Sequence, residues 1–466
     1  MESNKKMIKF SEDEKRKKRA VLFSVQAQGV TDEENSASLI ELRRLVKTLG
    51  LEVVGAVTQR RAKPDPGVLL GPGKLKELAG YTGGKGVVEG FSSKSGDEED
   101  EEWEEDISPD GSNDDATDTG DIKEDIKAGV VVYDGEITPR QLRNLEKATG
   151  VEVLDRTGVI LEIFSRHAKS REAMIQVEIA KLAYLAPRLR ASHIDGDRQG
   201  AGIGTRGAGE TSYELDKRRI RDRISELKRR LVEIRKEQER RRDRRKETFQ
   251  IALVGYTNAG KSSIMRKLTG SDVLVEDKLF ATLDTRVKTM QPEGFPPVLV
   301  SDTVGFIKKL PHDLVASFQS TLDEALAASL LLYVVDVADP AFRPQLAVAK
   351  EVIKEIGGEK IPGILIMNKS DKLSETEVET LRCEFPDGIF ISAHNIDDIA
   401  ILRKKVLEFF EAGMVKEKMV IPYDKGRILG ELRTRAQILS ESYDEKGTEI
   451  TFRTLPETIA WLKKNL

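Results

Sequence analysis

The spacing of apolar positions changes three times along this chain. Over residues 1–164, short apolar runs alternate with helical repeats. Ala20–Val25, Val53–Val57, Gly129–Tyr133 and Val151–Leu154 read as buried strands. Leu39, Leu42, Val46 and Leu49 recur at helical spacing, with Gly50 as a stop. Another helix opens at the turn Leu70-Gly71-Pro72-Gly73-Lys74, and a third spans Pro139 to Thr149. The alternation predicts a compact α/β domain.

From 165 to 246 the period lengthens. Ile175, Ile179, Leu182, Ala186 and Leu189 step by four and three, as do Ile220, Ile224, Leu227, Leu231 and Ile234. Two such stripes joined by one loop predict a long antiparallel coiled-coil hairpin. Its tip, Gly200 to Thr211, holds five glycines, which permit close backbone approach. Arg198 and Arg206 offer charge and stacking suited to RNA phosphates and bases. Two readings stand. The tip is a flexible connector, or it is a probe for structured RNA built on Arg198, Gly202, Gly204, Arg206, Gly207 and Gly209.

From 247 to 413 continuous apolar runs return, at Ile251–Val254, Val298–Val300, Leu330–Val335, Ile364–Met367 and Ile389–Ile391. Such runs suit strands buried on both faces. Residues 414–466 then read strand, helix, two strands, helix, a small α/β unit that docks on its neighbour.

The loops after these runs carry the chemistry. Gly255 to Ser262 fits G-x-x-x-x-G-K-[ST]. The phosphate-binding set is Gly255, Tyr256, Thr257, Asn258, Ala259, Gly260, Lys261, Ser262 and Ser263, whose backbone N–H groups wrap phosphates at a helix N-terminus. Lys261 adds charge at the β/γ oxygens, and the Ser262 hydroxyl suits Mg²⁺. Asp302-Thr303-Val304-Gly305 reads D-x-x-G, with Asp302 near Mg²⁺ and the Gly305 N–H toward a γ-phosphate. Asn368-Lys369-Ser370-Asp371 reads N-K-x-D. A buried Asp371 carboxylate would accept from guanine N1–H and its amine, and would stand unpaired against adenine. Ser392-Ala393 suit a loop whose backbone N–H meets guanine O6. Four motifs in this order, each after a strand, predict a P-loop domain that binds GTP and GDP and hydrolyses GTP. In other GTPases a glutamine after the D-x-x-G glycine orients the attacking water; Phe306 cannot. Hydrolysis is therefore predicted to be slow alone and stimulated by a partner. Gly71–Lys74 lacks the full phosphate pattern and reads as a structural turn. His312 precedes a helix and reads as structural.

Composition narrows the setting. A third of the residues are charged, and Cys383 is the sole cysteine, so no disulfide framework forms within one chain. A reducing cytoplasm fits. No leader is read in the charged first 19 residues. The longest apolar run, Leu330–Val335, ends at Asp336, far short of the ~20 residues of a membrane span. Residues 92–125 hold 16 acidic and 2 basic residues, a charge of −14; the chain as a whole is −4, so the remainder carries +10. That stretch reads as a disordered acidic surface insert, or as an arm competing with nucleic acid for a basic face.

These motifs together resemble the HflX family of ribosome-associated GTPases, over nearly the full length. The resemblance rests on Gly255–Ser262, Phe280–Asp284, Asp302–Phe306, Leu310–Val315, the loop Gly202–Glu210, Gly71–Lys74 and Asp155–Thr157. It implies a cytoplasmic, monomeric GTPase that binds the large ribosomal subunit and its RNA, and that splits or rescues stalled ribosomes. It also implies that the glycine loop touches ribosomal RNA, that Thr282 joins Ser262 and Asp302 around Mg²⁺, and that Asn258 serves K⁺ or else caps a local turn. Ala201, Ala208 and Thr285-Arg286 depart from the family's usual residues. The alternative is a regulatory GTPase acting through the hairpin on a protein or another RNA.

Overall fold

The computed structural model describes residues 16, 18–88, 127–193, 212–243, 249–270, 286–292, 297–307, 324–444 and 447–465. The chain divides into two compact units, Met1–Arg166 with Val177–Lys228, and His167–Gln176 with Arg229–Leu466.

The first unit contains β1 (Arg19–Gln26), α1 (Asp32–Thr48), β2 (Glu52–Arg60), α2 (Pro72–Thr82), β3 (Val130–Tyr133), α3 (Pro139–Thr149), β4 (Glu152–Asp155) and α4 (Arg156–His167). The sheet runs β2-β1-β3-β4 with every pair parallel. Local signals set the helices. Thr31 and Glu34 form a capping box before α1, and Thr138 and Gln141 form another before α3. Pro72 opens α2 behind Gly71, and Gly83 ends it in the left-handed region, where a side chain would be strained. Val21, Phe23, Val131 and Val153 pack with Leu75, Leu78 and Leu145. Leu42, Leu45, Ile160 and Phe164, from α1 and α4, are fully buried as well. The sequence reading missed α4, because it starts directly after β4 with no punctuating loop.

Two long helices follow, α5 (Arg171–His193) and α6 (Ser212–Asp243). In α6 the predicted seam is the shielded stripe: Leu227 is buried, and Ile220, Ile224, Leu231 and Ile234 are half-buried. In α5 the seam residues Ile175, Ile179, Leu182 and Ala186 are only half-buried, while Val177 and Ala180 are buried. The reason is a second partner. Lys181 reaches Glu162 at 3.0 Å, and Tyr184 and Arg188 each reach Asp155 at 2.6 Å, so α5 packs on more than one side. Arg223 of α6 pairs with Glu178 of α5 at 2.8 Å. The acidic insert at 92–125 and the tip residues Arg198, Gly202, Gly204, Arg206, Gly207 and Gly209 lie outside the described residues.

The second unit holds a six-stranded sheet. Its elements are β5 (Phe249–Gly255), α7 (Lys261–Thr269), β6 (Arg286–Thr289), β7 (Val298–Asp302), β8 (Leu330–Asp336), α8 (Phe342–Glu355), β9 (Gly363–Asn368), α9 (Glu375–Glu384), β10 (Ile389–Ile391) and α10 (Ile396–Ala412). The order is β10-β9-β8-β5-β7-β6, parallel except for the edge strand β6. One face packs Ile264, Leu268, Leu402 and Val406 against the strands; the other packs Phe342, Leu346 and Leu381. The strand order reverses at β5, so its carboxyl end opens on a switch point where such sheets bind ligands. The unit closes with β11 (Val415–Ile421), α11 (Gly426–Arg435), β12 (Gln437–Asp444), β13 (Gly447–Thr454) and α12 (Pro456–Asn465). Their antiparallel sheet, β11-β13-β12, has its own core of Ile421, Leu432, Ile450, Phe452 and Leu462. Among the described residues no helix is long and apolar enough to cross a membrane.

Candidate functional site

The site is built at the carboxyl ends of β5, β7, β8, β9 and β10. Strand β5 ends at Gly255, whose φ of +150° and closeness to the Val334 carbonyl leave no room for a side chain. The loop turns through Asn258, at φ +60°, and Gly260, at φ +97°. A Cβ on Gly260 would collide with the Asn368 amide. Helix α7 then starts at Lys261, and its first N–H groups, which have no partner within the helix, and its dipole face the loop.

Lys261 is buried inside the loop. Its Nζ donates to Tyr256 O at 2.6 Å and to Gly255 O at 3.1 Å. Burial pushes its pKa down to about 8, against the opposing pull of Asp302. The Ser262 hydroxyl donates to Asp302 Oδ2 at 2.7 Å. Among the described residues no group of three or more His, Cys, Asp or Glu could hold a metal. A hydroxyl and one carboxylate side by side still suit Mg²⁺, which takes few protein oxygens and fills its shell with phosphate and water.

The D-x-x-G segment is stitched to the phosphate loop. Thr257 N–H donates to Phe306 O at 2.9 Å, and Phe306 N–H donates to Gly255 O at 3.1 Å. Phe306 is buried. A Cβ on Gly305 would lie 2.8 Å from Thr257 Cα and 3.0 Å from Lys261 Nζ, so Gly305 borders the point those two groups share.

The N-K-x-D residues divide their roles. Asn368 is buried; its Nδ2 donates to Ala259 O at 2.8 Å, and its Oδ1 accepts from Ala393 N–H at 3.1 Å. It is a strut between the phosphate loop and the Ser392–Ala393 loop. Lys369 sits at φ +64° and its Nζ donates to Asp336 Oδ2 at 2.6 Å. Asp371 stands in a 3-10 turn, Ser370–Lys372, and is exposed, where the sequence reading had supposed it buried. The turn lies beyond the end of β9, past the packed core. The Ser392 N–H donates to Asp398 Oδ2 at 2.7 Å. The sequence reading missed Asp336 and Asp398. Asp336 had a signal, since it ends an apolar strand in register with Asn368. Thr282 and His312 lie outside the described residues.

A phosphate loop at a switch point, a carboxylate and hydroxyl beside its lysine, and an N-K-x-D strut define a guanine-nucleotide P-loop GTPase. Comparison with known proteins narrows this. Residues 36–88 and 115–165 match the family described as "GTP-binding GTPase N-terminal", 167–245 match "GTP-binding GTPase Middle Region", and 250–369 match "50S ribosome-binding GTPase". The GTPase HflX of Gluconacetobacter diazotrophicus is 50% identical, over 96% of this chain and 97% of its own. That of Escherichia coli is 33% identical, over 90% and 89%. A GDP-bound GTP-binding protein from Sulfolobus solfataricus is 24% identical, over 84% of this chain and 98% of its own, with a TM-score of 0.42. The chain belongs to the GTPase HflX family, and it is a GTPase.

Proposed function

We propose that the chain is a cytoplasmic, monomeric switch that binds the large ribosomal subunit in its GTP state and leaves it after hydrolysis, separating or rescuing stalled ribosomes. The observation that carries this reading is the match of residues 250–369 to the family described as "50S ribosome-binding GTPase". A second feature supports it. Helix α6 carries 13 basic and 8 acidic residues, an excess of positive charge suited to a phosphate backbone.

In this reading Asn368, Lys369, Asp371, Ser392 and Ala393 form the guanine subsite, with Asn368 setting the distance between base and phosphate loops. Ser262, Asp302 and Thr282 hold Mg²⁺, which when bound neutralises charge on the β/γ oxygens. Asn258 serves K⁺ at the same oxygens. Gly305 meets the γ-phosphate, and its loss releases the switch segments. The domains act as 1–164, the hairpin 165–246, the GTPase domain 247–413 and the unit 414–466. The tip with Arg198, Gly202, Gly204, Arg206, Gly207 and Gly209 contacts ribosomal RNA.

The test is GTP hydrolysis with and without purified large subunits, in K⁺ buffer. Strong, salt-sensitive stimulation is expected, on the scale of ~10³–10⁵ seen where a partner completes a GTPase site. No stimulation, with GTP still bound, would move the partner to proteins or other RNAs. Equal rates in Na⁺ and K⁺ would remove K⁺ from the account.

A further inference from the structure

Thr257 stands where three groups of the site converge. The position a Cβ on Gly305 would take lies 2.8 Å from Thr257 Cα and 3.0 Å from Lys261 Nζ. Thr257 N–H is held by Phe306 O. The residue is only 7% exposed, and among the described residues nothing bonds its hydroxyl. A buried hydroxyl without a partner costs stability, and valine would fill nearly the same volume without that cost.

The methyl group, Cγ2, faces Gly305, 2.8 Å from the same Cβ position. Methyl and hydroxyl share one Cβ, so a single staggered step about χ1 puts the hydroxyl where the methyl stood and the methyl where the Cβ hydrogen stood. The step breaks no hydrogen bond of the hydroxyl within the described protein. It brings Oγ1 to the Gly305 side, where the Lys261 amine also lies.

We propose that Thr257 is a γ-phosphate contact that favours GTP over GDP: its hydroxyl turns toward Gly305 and donates to a γ-phosphate oxygen. This rests on the reading that Gly305 and Lys261 border the γ-phosphate. An O–H donor to an anionic oxygen is among the stronger hydrogen bonds, and GDP ends one phosphate short of it. The Lys261 amine serves both nucleotides; the hydroxyl serves one.

The test compares Thr257→Val and Thr257→Ser in the full chain. Affinities for GDP and for a non-hydrolysable GTP analogue are measured with Mg²⁺, together with the melting temperature without nucleotide. Valine is expected to lower analogue affinity about tenfold, to leave GDP affinity within about twofold, and to melt no lower than the parent. Serine, which keeps the hydroxyl, is expected to keep the parent's ratio of the two affinities. Equal losses for both nucleotides, no loss for either, or serine behaving as valine does would overturn the proposal. A parent chain that binds GDP but not the analogue would instead break the underlying reading of Gly305 and Lys261, and the proposal with it.

Discussion

The N-terminal sheet is parallel throughout, the nucleotide sheet is parallel except at its edge strand β6, and both bring polar groups to the carboxyl ends of their strands. In the N-terminal sheet the strand order reverses between β1 and β3, a position that in other open sheets receives a ligand. Here the protein fills it. Arg156 is fully buried and pairs with Glu41 and with Asp134, the latter at 2.6 Å. Ser38 donates to Asp134 at 2.5 Å. Asp155, one residue away, accepts from Tyr184, from Arg188 and from the Gly158 N–H. Arg188 also stacks on the Tyr184 ring, 3.4 Å from its centroid. Among the described groups of this cluster, Ser24 Oγ, Arg156 Nε and Arg188 Nε have no hydrogen-bond partner. In the nucleotide sheet no side-chain anion among the described residues lies within bonding distance of Lys261, which bonds backbone carbonyls of its own loop. One architecture thus serves two ends. Charges matched by the protein anchor α5, while in the proposed reading the donors of the nucleotide site take phosphate.

Removing the central cation from each sheet should break this contrast most sharply. Lys261→Ala is expected to lower GTP turnover by about 10²–10³, measured by phosphate release, because a preorganised charge at the reacting oxygens is gone. Its melting temperature without nucleotide should hold, since the buried amine is a burden in that state. Arg156→Ala should do the reverse. It removes the buried cation that Glu41 and Asp134 share, and should cost about 3–5 kcal/mol in urea unfolding. Retained stability in that variant would show that the network is ornamental.

A titration sharpens the difference. Burial holds Lys261 near 8, below its ordinary 10.5. Between those values the unfolded chain binds more protons than the folded one, so this group's contribution to stability rises with pH across that window. Phosphate binding needs the charged amine. GDP affinity should therefore fall as pH climbs above about 8, by about tenfold at pH 9 by titration of one such group, as isothermal calorimetry can read. A flat profile would place the amine's titration elsewhere. The smallest effect belongs to Tyr184→Phe. Asp155 keeps Arg188 and the Gly158 N–H, so the loss should be about 1–2 kcal/mol in urea unfolding, with GTP turnover unchanged.

The nucleotide site was legible because each motif residue sits next to an apolar strand in the chain itself. Gly255, Lys261, Asp302 and Asn368 all end or follow such runs. What connects those motifs was not legible. The strut from Asn368 to Ala259 and Ala393, the bond from Asp398 to Ser392 and the pairing of Asp336 with Lys369 join residues 6 to 109 positions apart. No local period reports them. The same holds for α5, whose heptad stripe gave one face, while Asp155 and Glu162 drew on another. The exposure of Asp371 depends on how far its turn projects beyond β9, which composition does not encode.

Amide hydrogen exchange on the full chain, with and without a magnesium-bound GTP analogue, tests the contrast most directly. Protection is expected to rise over residues 255–263 and 302–307, and to stay unchanged over 130–137 and 152–158, where the protein already supplies every anion. Equal gains in both regions, or gains in the N-terminal sheet alone, would contradict the account.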